Sequence, residues 1–167
     1  MYRPMVTKSF TFDTAHRVLG HKGRCAHLHG HSFTAEVTLS CQDVNPLGMV
    51  VDFGDIKETV GKWIDRMWDH NIILHPDDPL VVAKMMAEDS DTLLAGKVTD
   101  IFEGKEPYLL ACRSYGPQYA NPTAENLARE LFHKAIELIA PLHPGVTVVR
   151  VRVYETPTSW SDFPQTN

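Results

Sequence analysis

Five of the nine histidines in this 167-residue chain, His16, His21, His27, His29 and His31, fall within its first fifth. His29-Gly30-His31 sets two imidazoles two residues apart, a spacing that sends both to one face of a β-strand. Gly30 between them lets the backbone lie close to whatever they hold. A neighbouring strand that ends at His16 would bring a third ring nitrogen to the same point. Three neutral imidazoles suit zinc, and three protein ligands leave a coordination position for water or substrate, the arrangement of catalytic rather than structural sites. Any one of these histidines alone would be an ordinary hydrogen-bonded side chain of a histidine-rich loop; the trio with this spacing is not. His21 and His27 fall off the pattern and are expected to face solvent or phosphate.

Cys25, four residues before His29, has two readings. It completes a closed site of one cysteine and three histidines, or it stays off the metal as a thiolate favoured by the cation and by Lys22 and Arg24. Cys41 and Cys112 have no such neighbours and are expected to be inert packing residues. Asp69-His70 stands at the end of a helical pattern, where a histidine complements the helix dipole. Glu155 closes an alternating run in which it shares a face with Val149, Val151 and Val153, making it an inward-looking carboxylate.

The elements that must position these groups follow from periodicity. Val6 to Asp13 alternates Thr7, Ser9 and Thr11 with Val6, Lys8, Phe10 and Phe12, which predicts a half-buried strand leading to His16. Gly20 to Arg24 is a loop, and Ser32 to Ser40 predicts an antiparallel partner strand. Asn45-Pro46-Leu47-Gly48 is turn chemistry. A helix from about Gly54 to Trp68 presents Ile56, Val60, Ile64 and Met67, and a second from Thr123 to Ile139 presents Leu127, Leu131, Ala135 and Leu138, with Thr123 as N-cap. Val146 to Glu155 is a strand, with Val146 and Val148 on the face of Arg150, Arg152 and Tyr154. The tail from Pro157 offers at most a short strand. Between the helices, residues 77–120 are the least legible, with a short helix at Leu80 to Glu88 and a strand at Tyr108 to Tyr115 as expectations.

Length and composition fit one soluble domain spanning residues 1–167. Hydrophobic residues make up 43% and charged residues 22%, and no apolar run approaches the length of a bilayer crossing. With no secretory pattern at the N-terminus, a cytoplasmic location is expected. The net charge of −5 gives no reason to expect nucleic acid as a partner.

Phe12-Asp13-Thr14-Ala15-His16-Arg17 followed by Cys25-Ala26-His27-Leu28-His29-Gly30-His31-Ser32 resembles the metal-binding motif of the 6-pyruvoyltetrahydropterin synthase and 6-carboxytetrahydropterin synthase family. Four further motifs resemble that family in the same order. They are Val51-Asp52-Phe53-Gly54-Asp55-Ile56-Lys57, Trp68-Asp69-His70-Asn71, Asn121-Pro122-Thr123-Ala124-Glu125-Asn126 and Val153-Tyr154-Glu155-Thr156. The likeness covers nearly the whole chain except the insertion at about 77–120.

The resemblance implies an α+β tunnelling fold: an antiparallel four-stranded sheet with two helices on one face, in the order ββααββ, with the insertion between the helices. It implies assembly through strand edges into a homo-oligomer, a trimer or hexamer, with sites at subunit interfaces. It also implies Zn2+ on His16, His29 and His31, a pterin triphosphate substrate, Cys25 as base with Asp69 and His70 as relay, and Glu155 as the pterin anchor. Thr123 borders the pterin in this scheme, and Arg17, Lys22 and Arg24 hold the triphosphate or form a solvated charge cluster. The ending Glu155-Thr156-Pro157-Thr158-Ser159-Trp160 looks more like the branch that makes 6-carboxytetrahydropterin from 7,8-dihydroneopterin triphosphate with loss of acetaldehyde, on the route to queuosine-type deazapurines. The alternatives are the pyruvoyl branch of tetrahydrobiopterin synthesis and a zinc- and pterin-binding homologue without turnover.

Overall fold

The computed structural model describes residues 3–81, 83, 106–110 and 115–164. Its strands are β1 (Met5–His16), β2 (His29–Cys41), β3 (Asn71–Leu74), β4 (Tyr108–Leu109), β5 (Val146–Thr156) and β6 (Ser159–Phe163). A helical rod runs from α1 (Phe53–Ile56) through a π-helical stretch, Lys57–Gly61, into α2 (Lys62–Met67), and a long helix, α3 (Ala124–Ile139), precedes β5.

β1 and β2 pair antiparallel in unbroken register from Met5↔Ser40 to His16↔His29. Paired residues share a face, so Phe12 lies beside Phe33, Phe10 beside Ala35 and Val6 beside Leu39. The Phe12 and Phe33 rings stack with centroids 5.4 Å apart. Val151 and Val153 of β5 extend this face, and Ile56, Val60 and Ile64 of the rod and Leu127, Leu131 and Ala135 of α3 pack onto it as one core. The helical stripes expected from sequence face the core, with Met67 and Leu138 only partly buried against it. Thr123 caps α3, its side chain accepting from the Asn126 N–H at 3.4 Å. Gly61 sits where the rod crosses β1, and a Cβ there would come within 2.8 Å of the Phe10 ring. The opposite face is polar, carrying Thr34, Glu36, Thr38, Arg150, Arg152 and Tyr154.

The α+β class and the placement of helices on one face stand. The sheet differs from expectation in having six strands, in the order β4-β3-β1-β2-β5-β6, rather than four. β3 and β4 add beyond β1 as parallel pairs, so the sheet is mixed. The four residues of β3 are too short to show alternation or to reveal their type by periodicity, whereas β4 begins the strand expected from Tyr108. The tail does form a strand, β6, antiparallel to β5.

The strict alternation expected along β5 fails once. The register with β2 shifts between Thr38 and Leu39, so Val148 pairs with Leu39, and Val146 and Val148 pack on the core rather than on the arginine face. An extra residue in one strand flips the parity of everything before it. Cys41 is buried, as a packing cysteine should be. Cys112 and most of the expected Leu80 to Glu88 helix lie outside the described residues; of the strand expected at Tyr108 to Tyr115 only Tyr108–Leu109 is strand, Leu110 and Tyr115 are not, and 111–114 lie outside the described residues.

Candidate metal centre and active site

The two strands that carry the histidines run further than their alternating patterns suggested. β1 continues to His16 and β2 begins at His29, which makes the two residues direct cross-strand partners, with Thr14 opposite His31. The ring centroids are 4.6 Å apart for His16 and His29, 5.3 Å for His16 and His31, and 4.9 Å for His29 and His31. A Cβ on Gly30 would lie 3.2 Å from the Thr14 carbonyl oxygen, so the glycine lets the two strands approach here.

A fourth donor joins the three. Glu155 Oε1 is 3.3 Å from His16 Nε2 and 3.4 Å from His31 Nε2, and one ligand atom from each of His16, His29, His31 and Glu155 falls within 4.8 Å of all the others. The β5–β6 register shifts between Tyr154 and Thr156, so Glu155 sits at an irregularity that turns its carboxylate to the histidines.

The orientation of His16 is settled by its far nitrogen. Nδ1 lies 2.7 Å from the Pro122 carbonyl oxygen, which can only accept, so Nδ1 carries the proton and Nε2 presents a lone pair. Nδ1 of His29 is held in the same way by the His27 carbonyl at 2.7 Å. These are the outer partners that metal-ligating histidines use to fix tautomer and ring angle. His16 is 1% exposed, and among the described residues its Nε2 makes no hydrogen bond. Burial holds the imidazole below the ordinary histidine value of 6.5, with His29 and His31 acting in the same direction, against the Pro122 bond and the Glu155 carboxylate. A neutral His16 therefore turns a lone pair toward a carboxylate oxygen. Two acceptors at that distance repel unless a cation lies near them, and three imidazole nitrogens suit Zn2+. The residues fit the metal.

Cys25 is not among the converging ligands, so no closed set of one cysteine and three histidines forms among the described residues. It borders a cavity of about 280 Å3 that it shares with His16, His21, Thr123, Glu155 and Trp160. That volume is just under the usual range for small-molecule pockets, about 300–1,000 Å3. Asp69 and His70 do form a pair, with His70 Nδ1 2.7 Å from Asp69 Oδ2. The other Asp69 oxygen accepts from the Asp13 N–H at 2.8 Å, and the His70 N–H donates to the Asp13 carbonyl at 2.7 Å. This clamp holds His70 at φ 52°, a left-handed conformation uncommon for a side-chain-bearing residue. His70 lines a different cavity, of about 400 Å3, with Asp13, Thr14, His31 and Asn71. The chain thus brings His16, His29, His31 and Glu155 together but places Cys25 and His70 in separate cavities.

The basic residues divide. Lys22 and Arg24 are exposed on the loop beside the histidines. Arg17 is instead committed to Asp78, which is fully buried, through bonds of 2.7 Å from Nε and 2.5 Å from a terminal nitrogen. That bidentate bond raises the Arg17 pKa further and leaves the guanidinium neutralised. Asn121 and Pro122 were legible only as a helix entrance, and nothing in the sequence announces a carbonyl as the partner of His16.

The family model for 6-pyruvoyl tetrahydropterin synthase matches residues 5–165. A 6-carboxy-5,6,7,8-tetrahydropterin synthase of Rickettsia typhi is 35% identical over 150 residues, covering 90% of this chain and 92% of the relative. The enzyme of the same name from Haemophilus influenzae is 28% identical over 162 residues, covering 95% and 96%. Among solved structures, an uncharacterized protein from Wolinella succinogenes superposes with a TM-score of 0.70 at 24% identity, covering 97% of this chain and 98% of that one. The 6-pyruvoyl tetrahydropterin synthase of Caenorhabditis elegans superposes with a TM-score of 0.58 at 22% identity, covering 99% and 100%.

Proposed function

The chain belongs to the 6-pyruvoyl tetrahydropterin synthase family, and on that premise we propose that it is a zinc-dependent lyase converting 7,8-dihydroneopterin triphosphate and water to 6-carboxy-5,6,7,8-tetrahydropterin, with release of acetaldehyde and triphosphate. The carrying observation is the convergence of His16, His29, His31 and Glu155, with a buried His16 nitrogen that has no hydrogen bond among the described residues. The curated relatives named for the carboxy product favour that branch. Among the described residues no helix is long and apolar enough to cross a membrane, and we place the enzyme in the cytoplasm.

His16, His29 and His31 hold the metal in this scheme. When bound, Zn2+ supplies Lewis acidity toward the oxygens of the substrate side chain. Glu155 faces the pterin amino-pyrimidinone edge, where a carboxylate accepts two parallel hydrogen bonds. Thr123 and the start of α3 border the same cavity, and Lys22 and Arg24, exposed and next in sequence to its lining residues His21 and Cys25, attract the triphosphate. Cys25, as thiolate, takes a proton from the side-chain carbon. Asp69 orients His70 through its Nδ1, so that His70 carries protons to and from the side-chain oxygens. Cys25 and His70 border separate cavities within one chain, and in this scheme the complete set forms between chains of a homo-oligomer.

Purified protein incubated with Zn2+ and 7,8-dihydroneopterin triphosphate tests this. Acetaldehyde and 6-carboxytetrahydropterin are the expected products. Triphosphate release without acetaldehyde would move the enzyme to the pyruvoyl branch, and pterin binding without turnover would remove the lyase activity.

A further inference from the structure

We propose that Asn121 is a positioning residue for the metal centre, acting on His16 through the carbonyl of Pro122. The proposal rests on the metal-binding role of His16 set out above.

Asn121 is anchored at both ends. Its side-chain Oδ1 accepts from the Leu19 N–H at 2.7 Å and its Nδ2 donates to the Leu19 carbonyl at 3.1 Å, so one amide pairs with both backbone groups of Leu19 as a strand neighbour would. The Leu19 groups are a fixed donor and a fixed acceptor, and they leave a single orientation for the amide. Asn121's own carbonyl accepts from Thr123 N–H and from Nδ2 of the buried Asn126, both at 2.9 Å. The side chain is thus tied to the chain leaving β1, and the backbone to the first turn of α3.

Pro122 sits between these ties. It is buried, it has no N–H, and its ring fixes φ near −65°, so ψ alone aims its carbonyl, and ψ is held because the N–H of that same peptide unit, from Thr123, donates to the Asn121 carbonyl at 2.9 Å. That carbonyl is the acceptor for His16 Nδ1 at 2.7 Å. Releasing Asn121 from Leu19 frees the Pro122 peptide, and His16 loses what keeps its proton on Nδ1 and its lone pair on Nε2. Only asparagine satisfies both Leu19 groups from this position. Aspartate would still accept from the N–H but would set a second oxygen against the Leu19 carbonyl, and alanine would do neither.

The test compares wild type, Asn121→Ala, Asn121→Asp and a control, Tyr108→Phe, which removes the 2.6 Å bond to buried Glu130 at the far edge of the sheet. Zn2+ affinity is measured by competition with a chelating dye, thermal stability on metal-free protein, and the His16 tautomer by nitrogen-15 NMR on metal-free protein. Both Asn121 variants should bind Zn2+ about tenfold or more weakly, the scale of losing an outer partner of a ligating histidine. They should also lose the pure Nδ1–H signature of His16, while Tyr108→Phe lowers stability without changing either. If Asn121→Ala does not fold, Asn121→Asp, which keeps the Leu19 N–H bond, decides. Wild-type Zn2+ affinity together with an unchanged His16 tautomer in the Asn121 variants would overturn the proposal. Failure of wild-type protein to bind Zn2+ would overturn the metal reading, whereas a tautomer shift confined to the Asn121 variants would still support the positioning role.

Discussion

Glu155 Oε1 stands 3.3 Å from the buried Nε2 of His16, a carboxylate oxygen facing a nitrogen that has no hydrogen bond among the described residues. The two residues come from opposite ends of the chain, one closing β1 and one at the irregularity in β5. Their meeting separates two roles for Glu155. If three histidines suffice to hold the metal and Glu155 anchors the pterin, Glu155→Ala retains Zn2+ and loses affinity for a non-reactive pterin such as neopterin by about 10- to 100-fold, the value of a bidentate charged bond at about 1.5–3 kcal/mol. Loss of Zn2+ in this variant would make Glu155 a ligand first. Calorimetry with Zn2+ and with neopterin reads both.

Arg17 and Asp78 join the exit of β1 to the start of the insertion. Arg17→Ala leaves a fully buried carboxylate unpaired and should destabilise the fold by about 3–5 kcal/mol. Chemical denaturation measures this. With its charge neutralised by Asp78, Arg17 should contribute little to triphosphate affinity, so neutralising Lys22 and Arg24 should raise KM severalfold without a comparable loss of stability. The opposite pattern would return Arg17 to the phosphate site.

Stability of the metal-free protein should fall in acid for a specific reason. The His16 pKa is lowered in the fold from the ordinary 6.5, first by burial. Above 6.5 both folded and unfolded chains carry a neutral ring and the group does not bias folding. As pH drops below that value the unfolded chain takes up the proton first, and stability is lost until the pH has passed the lowered folded value. Saturating Zn2+ should deepen the acid loss, because protons compete for the same nitrogen. Denaturation midpoints between about pH 5 and 8, with and without Zn2+, test the sign. Insensitivity of His16→Gln across this window would support it, and an unchanged profile would refute it.

Cys25 and His70 line different cavities of one chain, which makes a complementation experiment decisive. Cys25→Ala and His70→Ala should each lower turnover by about 100-fold or more, the ordinary share of proton transfer, while keeping wild-type Zn2+ content. Refolded together, the two inactive proteins should recover activity that neither has alone. No recovery from a mixed oligomer would place both groups in the same chain's site.

The parts of this centre that were legible in the sequence depend on local periodicity. A two-residue histidine spacing on a strand fixes one face, and the β1–β2 hairpin brings His16 in by simple antiparallel register. The helical stripes and the Thr123 cap are equally local. What stayed hidden depends on distant partners or on one extra residue. The irregularity at Glu155, the shift at Val149, the Arg17 to Asp78 bond and the Pro122 carbonyl on His16 each join segments that no spacing rule connects. β3 was missed because a run of four residues carries no period, and the strand expected from Tyr108 proves only two residues long in β4.

Metal stoichiometry tests the central claim most directly. Wild-type protein reconstituted with Zn2+ and desalted should hold one equivalent per chain by elemental analysis, and His29→Ala, folded by circular dichroism, should hold almost none. A wild-type protein without bound metal, or a His29→Ala protein that keeps its full equivalent, would contradict the account.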